Sequence, residues 1–134
     1  MQRGEVKNQE FFSRRVLFSG LRYLGNITPT DFDLVIEFRD KAWVIGEAKH
    51  INSKGVPIGQ RLALERIADD LWKCGKSAIA IVFEHNADGD IVAESCPVTE
   101  YRWRGEWKTM VDPITVKQCI DRFVNKHVVS NEHS

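Results

Sequence analysis

Two short segments with alternating apolar residues, separated by a very short polar link, constrain the fold of this chain most strongly. Residues 31–38 (DFDLVIEF) place an apolar side chain at every second position, as a half-buried β-strand does. Residues 42–49 (AWVIGEAK) follow after only residues 39–41. Such a link can join antiparallel strands but not parallel ones, so we predict a β-hairpin. One face of its first strand is expected to carry Phe32, Leu34, Ile36 and Phe38.

Apolar residues at helical spacing predict one helix on each side of the hairpin. The first spans residues 5–24, where arginines lie between the apolar positions. The second begins at Gln60 and ends at Gly75, after a loop over residues 50–59. Residues 77–85 then form an apolar, β-branched run that is typical of a strand buried on both faces.

The C-terminal third of the chain is predicted to add strands and a closing helix. Residues 91–98 form one strand, and the segment from residue 101 forms another that turns at residues 105–106. Asp112 is the predicted N-cap of the last helix, with Pro113 as its first residue. Together the elements predict an α/β fold, a mixed β-sheet flanked by helices.

Length and composition exclude several classes of protein. The chain has 134 residues, the size of one domain, and no apolar run long enough to cross a bilayer. Its N-terminus lacks the features of a secretory signal, so we expect a cytoplasmic protein with no membrane partner. The three cysteines lie far apart, which argues against structural zinc and against a disulfide framework. Because the formal net charge is zero, binding of nucleic acid must depend on local concentrations of charge.

Three charged side chains converge if the hairpin forms as predicted. Glu47 and Lys49 lie two residues apart in one strand and so share a face, and antiparallel pairing brings Asp33 opposite the region of Glu47. Two carboxylates beside an ammonium suit Mg²⁺, a hard cation that prefers oxygen ligands, with Mn²⁺ as a substitute. Asp33, Glu47 and the carbonyl of Ala48 would bind the ion. Lys49 would orient or deprotonate the attacking water and offset charge in the transition state of phosphodiester cleavage.

At these residues the sequence resembles the PD-(D/E)XK nuclease superfamily, which has the restriction-endonuclease-like fold. Asp33, the hydrophobic strand positions after it, and the run Glu47-Ala48-Lys49 at the end of the next strand carry the resemblance. A helix that opens with Gln60 follows, as it does in the family. Where the family has a Pro-Asp pair this chain has TDFD, and of its two acids Asp33 better matches the family's spacing to the E-x-K motif.

The resemblance implies both a domain organisation and an activity. It covers residues 5–84, an αβββαβ core, within one nuclease-like domain over residues 1–134 whose C-terminal strands and helix occupy residues 90–126. The implied activity is that of a Mg²⁺-dependent deoxyribonuclease, an endonuclease rather than an exonuclease. Its relatives include phage and archaeal-type Holliday-junction resolvases, so the substrate would be branched DNA in recombination, repair or phage genome processing. Small members commonly form homodimers, and a phage-encoded one would act in the host cytoplasm.

Further site residues are expected around the central three. Relatives often complete the metal site with a glutamate of the first helix, for which Glu10 is the candidate, and use a glutamine at the position of Gln60 to hold water or phosphate. Asp31 shares the face of Asp33 and is a candidate second metal ligand. The residues expected to contact DNA are Arg14, Arg15, Arg22 and His50.

Each of these assignments has a structural alternative. The central carboxylates and the lysine could be cross-strand ion pairs on a solvated hairpin. Asp31 could stabilise a turn, Glu10 could pair with Arg14 one helical turn away, and Gln60 could simply begin its helix. The alternative function is a non-catalytic module that binds nucleic acid or serves as an adaptor on a nuclease-like fold. RNA as the substrate also remains open.

Residues 101–108 (YRWRGEWK) interleave aromatic and basic side chains. This composition suits stacking on bases and contact with phosphates. It is equally what a half-buried hairpin produces, with its aromatic residues in the core and its basic residues in water. We favour the second interpretation.

Overall fold

The computed structural model describes Leu17 and residues 19–129, and these residues form a five-stranded sheet with a helix on each face. All neighbouring strands are antiparallel except the central pair, β2 and β3, which is parallel. The predicted mixed sheet flanked by helices is therefore confirmed. In chain order the elements are β1 (Leu34–Phe38), β2 (Ala42–His50), α1 (Ile58–Lys73), β3 (Ser77–His85), β4 (Val98–Trp103), β5 (Glu106–Thr109) and α2 (Val116–Val124), followed by a π-helical turn (Asn125–Val129).

The predicted hairpin is formed by β1 and β2. Its turn has left-handed backbone at Arg39 (φ 52°) and Asp40 (φ 61°), and the N–H of Lys41 donates to the carbonyl of Phe38 at 2.9 Å. Positive φ values at two successive turn residues match the right-handed twist of the strands that they join. The sheet order is the chain order, β1-β2-β3-β4-β5.

The two central strands are covered on both faces, which explains their nearly continuous apolar sequence. Val44, Ile81 and Phe83 pack towards α2, whereas Ile45 and Ala80 pack towards α1. The prediction that residues 77–85 form a doubly buried strand is confirmed.

Gly46 lies where β2 is most closely packed. A Cβ atom at Gly46 would meet Ile81 Cγ1 at 2.9 Å and Leu34 Cδ2 at 3.4 Å. Only glycine fits there without displacing its neighbours, and the residue that follows is Glu47. This close packing fixes the position of the backbone of Glu47 relative to the neighbouring strands.

The helix predicted from residue 60 is confirmed, but it begins earlier. It starts at Ile58, with Pro57 before it, and ends at Lys73. Gly75 has a φ of 91°, the left-handed conformation that ends many helices. The buried residues of the helix, Leu64 and Ala68, are one turn apart and face the sheet.

The prediction of a helix over residues 5–24 is wrong for residue 17 and residues 19–24, and residues 5–16 and 18 lie outside the described part of the chain. Tyr23 instead forms a β-bridge with Ile27 around a tight turn, in which Leu24 has a φ of 50°. Leu24 is 88% exposed, so no core contact supports a helix at this point.

Two C-terminal predictions are also wrong. Residues 91–97 do not form a strand: they contain a short 3₁₀ turn (Ala93–Ser95), and β4 begins only at Val98. The last helix has Thr115, not Asp112, as its N-cap, because Thr115 and Gln118 form a reciprocal capping box. Val98 also donates a backbone hydrogen bond to Ile114, which holds the segment before the helix extended.

Three smaller predictions need correction. Phe32 packs with the cluster beneath α1 rather than with Leu34 and Ile36, because it lies before β1 begins and strand alternation does not apply to it. The turn between β4 and β5 lies at residues 104–105. Two strands, not three, precede α1 in the described chain.

None of the described helices is long and apolar enough to cross a membrane.

Candidate functional site

Asp33 and Glu47 lie next to each other where β1 begins and β2 nears its end. The ladder between the two strands stops at the pair Leu34 and Gly46, so Asp33 and Glu47 are the next residues of each strand. Asp33 Oδ2 accepts a hydrogen bond from the N–H of Ala48 at 2.8 Å. The carboxylate thereby satisfies the N–H of Ala48 in place of the backbone carbonyl that a longer β1 would provide. The same hydrogen bond holds Asp33 against β2.

Glu47 is the only charged residue that is buried in the described part of the chain, with an exposed fraction of 7%. Burial removes its carboxyl from water, and the negative charge of Asp33 and a hydrogen bond with it act in the same direction. Together, with a smaller contribution from Asp31, they raise the pKa of Glu47 from 4.5 to about 8. Glu47 therefore keeps its proton at neutral pH unless a positive charge takes the proton's place.

One oxygen of Glu47 has no hydrogen-bond partner. Oε2 is buried, and no donor in the described chain reaches it. A buried polar atom without a partner costs about 1–3 kcal/mol, so natural proteins rarely retain one without a reason. A bound cation would satisfy this oxygen. It is the feature of the molecule that most directly points to a ligand.

The carbonyl of Ala48 faces the same place. In an extended strand the N–H and the C=O of one residue point to the same neighbour, and the N–H of Ala48 points to Asp33. Its carbonyl is therefore directed to the side of Asp33 and away from β3. Two carboxylates and one carbonyl thus lie at the end of the β1–β2 ladder.

Lys49 and Glu84 extend the site along the face that carries Glu47. Residues two apart in a strand share a face, so the side chain of Lys49 lies on that of Glu47. In the parallel ladder Lys49 is paired with Glu84, and Lys49 Nζ lies 3.9 Å from Glu84 Oε1. The ammonium is thus paired with a carboxylate of the neighbouring strand β3.

Glu84 is the site residue that the sequence analysis missed. Its placement depends on the in-register parallel pairing of β2 with β3, in which residues 35 positions apart meet. The available signal was a charged residue at the end of an otherwise apolar strand, FEH after AIAIV. Such a residue is expected to be solvated or paired, and here it is paired with Lys49.

Other predicted site residues lie elsewhere. Gln60 is in the first turn of α1 and lines a groove of about 680 Å³ beside residues 26–30, which Asp33 and Glu47 do not border. His50 lies an odd number of residues from Glu47 and so points to the other face of the sheet, where its ring makes an edge contact with His85 at 5.2 Å.

The basic residues predicted to bind DNA are only partly described. Arg22 is exposed and lies outside any helix. Glu10, Arg14 and Arg15 fall outside the described residues. Asp31 is exposed and close enough to Glu47 to affect its pKa.

A second polar cluster, which we call the paired network, lies on the same face of the sheet between α1 and β4–β5. Arg102 makes two hydrogen bonds to Asp69, at 3.0 and 2.7 Å, and this pairing lowers the pKa of Asp69. Arg61 makes two to Glu100, at 3.2 and 3.1 Å, and stacks on Trp107 at 4.2 Å. Residues 101–108 do form part of a hairpin, but Arg102 is paired beneath a helix rather than solvated.

A metal ion at Asp33 and Glu47 would need oxygen atoms beyond the two carboxylates. Within residue 17 and residues 19–129, no three His, Cys, Asp or Glu side chains are grouped closely enough to hold an ion. The carbonyl of Ala48 and water would supply the remaining ligands, a set that suits Mg²⁺, which usually keeps several waters. The partnerless Glu47 Oε2 and the oxygen-only donor set both fit such an ion.

Comparisons of the chain with protein-family models, with curated proteins and with solved structures found no match. A functional assignment must therefore come from the residues themselves. The most informative of them are two adjacent carboxylates beside a lysine, one of them buried with an oxygen that no donor of the described residues reaches.

Proposed function

We propose that this protein is a Mg²⁺-dependent endonuclease that cleaves DNA, with a restriction-endonuclease-like core and a PD-(D/E)XK active site at Asp33, Glu47 and Lys49. The observation that carries the proposal is the buried Glu47, whose Oε2 lacks a donor in the described chain and whose carboxyl adjoins that of Asp33. Two neighbouring carboxylates repel each other when both are ionised, so the arrangement costs stability once Glu47 loses its proton. A divalent cation bound between the two carboxylates would replace this repulsion with attraction to both.

The residues divide the work by position. Asp33, Glu47 and the carbonyl of Ala48 would hold the ion, which supplies Lewis acidity and lowers the pKa of water. Asp33 is fixed by its hydrogen bond from Ala48, so its carboxylate is in place before the ion arrives. Lys49 lies at the less buried end of the site, where its ammonium would orient water and offset negative charge on the phosphate.

Glu84 is a positioning residue in this scheme. Its carboxylate lies 3.9 Å from Lys49 Nζ and restrains a long, flexible side chain. A fixed ammonium stabilises developing charge without reorganising, which is the larger part of most electrostatic catalysis.

Branched DNA and a homodimer complete the proposal. Four-way junctions and flaps are the substrates that the sequence resemblance implies, and a dimer would present two sites to one junction. Support for these two points comes from the resemblance alone. We further propose that the protein acts in the cytoplasm.

The test is a cleavage panel of single-stranded, duplex, flap and four-way-junction DNA in Mg²⁺ or Mn²⁺. We expect the parent to cut at least one of these at defined internal positions. Glu47→Gln and Lys49→Gln should each reduce the rate by about 10²–10⁴-fold, because each removes a group that acts on the transition state. Asp121→Asn, which alters an exposed carboxylate of α2 paired with Lys117, is the matched control and should cut normally.

The panel also separates the second candidate, a non-catalytic module that binds nucleic acid. That candidate is favoured by the grouping of only two carboxylates in the described chain. It predicts DNA binding that is indifferent to divalent ions and to Glu47→Gln. A parent that cuts none of the four DNA forms in either metal would refute the nuclease proposal.

A further inference from the structure

A pocket lies between α2 and the sheet, on the face opposite Glu47. Its volume is about 220 Å³. Its wall is formed mainly by apolar and aromatic side chains from three parts of the fold. These are Ile79, Tyr101, Trp103, Met110, Ile114 and Phe123.

The rim of this pocket is positively charged. Arg122 and Lys126 lie one helical turn apart and both border the pocket, and neither takes part in an ion pair with any described residue. Lys117, also on α2, is by contrast paired with Asp121 at 2.7 Å. Arg104 stacks on Trp103 at 5.2 Å and adds a third cation nearby. The apolar cavity thus opens beside positive charge that forms no ion pair within residues 19–129.

The backbone at the rim is unusual. Residues after α2 form a π-helical turn, Asn125–Val129, which places His127 against Trp103 and Phe123 at ring distances of 4.8 and 5.1 Å. Burial, together with the charges of Lys126 and Arg104, lowers the pKa of His127. Wide π turns are uncommon and occur often at functional sites, because they cost backbone regularity.

We propose that this pocket binds a small ligand with a planar apolar body and one anionic group. The body would pack against Trp103 and Phe123, where apolar contact is favourable, and the anion would lie at Arg122 and Lys126. A nucleotide, with its base in the pocket and its phosphate at the rim, has this chemistry, and so does a free aromatic acid. The inference does not depend on the nuclease proposal, because the site lies on the other face of the sheet.

The test is an NMR titration of the ¹⁵N-labelled protein with three probes. They are 2-naphthoate, its uncharged analogue 2-naphthamide, and thymidine 5′-monophosphate. We expect 2-naphthoate to shift the Trp103 indole N–H and the amides of α2 saturably, and 2-naphthamide to bind about tenfold more weakly. Tighter binding of the nucleotide than of 2-naphthoate would identify nucleotides as the ligand class, and weaker binding would identify aromatic acids.

Three variants separate a built site from general charge attraction. Arg122→Gln and Lys126→Gln each alter an exposed residue, so the fold should persist, and each should weaken 2-naphthoate binding about five- to tenfold. Lys117→Gln removes the same charge from the same helix away from the pocket and should leave binding unchanged. Equal weakening by all three variants, equal binding of 2-naphthamide, or the absence of saturable shifts would each overturn the proposal.

Discussion

The paired network and the Asp33–Glu47 site lie on one face of the same sheet, yet they treat charge in opposite ways. In the paired network each partly buried carboxylate accepts two hydrogen bonds from an arginine, as Asp69 does from Arg102. In the site two carboxylates meet each other, and the nearest lysine is directed to Glu84 instead. The pKa of Asp69 is lowered, whereas that of Glu47 is raised to about 8.

The ion pairs of the paired network therefore stabilise the fold, whereas the adjacent carboxylates of the site destabilise it when both are ionised. An arginine–carboxylate pair satisfies its own hydrogen bonds and ties α1 to β4. A buried carboxylate beside a second, exposed one costs stability when both are ionised, and such pairs are retained where function needs them. Substitutions should therefore have opposite signs in the two regions.

The largest expected effect is on the pH dependence of stability. Because the pKa of Glu47 is raised from 4.5 to about 8, the folded state binds more protons than the unfolded state in that interval. The stabilisation that protonated Glu47 provides is complete below pH 4.5 and is lost as the pH rises to about 8. Without divalent ions the free energy of unfolding should fall by about 3–4 kcal/mol across this window.

Glu47→Gln should remove this pH dependence, since the amide does not ionise. Urea unfolding of parent and variant in EDTA, at several pH values across the window, measures the difference. A parent whose unfolding free energy rises through the same interval would show that Glu47 is stabilised as a carboxylate, against the account.

The next largest effect should come from the paired network. Asp69→Ala leaves Arg102, whose side chain is 13% exposed, without its partner, and should cost about 3 kcal/mol. Thermal or urea unfolding measures the loss. Asp121→Ala breaks an exposed pair on α2 and should cost less than about 0.5 kcal/mol. Equal losses of unfolding free energy from the two substitutions would mean that the paired network stabilises the fold no more than an exposed ion pair does.

Close packing beside the site gives an intermediate effect. Gly46→Ala would force a Cβ atom to within 2.9 Å of Ile81 Cγ1 and should destabilise the fold by about 2 kcal/mol. Gly59→Ala is the matched control, because nothing lies within 4 Å of a Cβ at that helical position. Gly59→Ala should be neutral or slightly stabilising. If Gly46→Ala were equally tolerated, β2 would not be fixed as described.

The smallest effect should come from the ion pair between Lys49 and Glu84. Glu84→Gln leaves the ammonium in place but loosens it, and should lower kcat about fivefold while leaving KM unchanged. Glu94→Gln, at an exposed carboxylate between β3 and β4, should have no effect. A change in KM alone would assign Glu84 to substrate binding instead of positioning.

Local pattern was enough to predict the hairpin, α1 and β3 from the sequence. Alternation, a short link and a glycine stop are properties of neighbouring residues, and so is the meeting of Asp33 with Glu47 across one turn. Errors arose where a distant partner decides the conformation. Ile114, for example, is held extended by Val98, which moves the start of α2 from Asp112 to Thr115.

The same limit applies to the site. Glu84 reaches Lys49 only through the parallel register of β2 and β3, and no local signal specifies that register. The burial of Glu47, and with it the direction of its pKa, follows from both faces of the sheet being covered. His50 was placed beside the site by its position in the chain, but strand alternation turns it to the other face.

The most direct test of the central claim compares the thermal unfolding of the parent and Glu47→Gln at pH 8, with EDTA, Mg²⁺ or Mn²⁺. The account predicts that the variant has the higher Tm in EDTA. It also predicts that either ion raises the Tm of the parent and leaves that of the variant unchanged, because Glu47 is a ligand only when it is a carboxylate. A parent Tm that neither ion alters, together with a variant that melts below it in EDTA, would contradict the claim that Asp33 and Glu47 form a cation site.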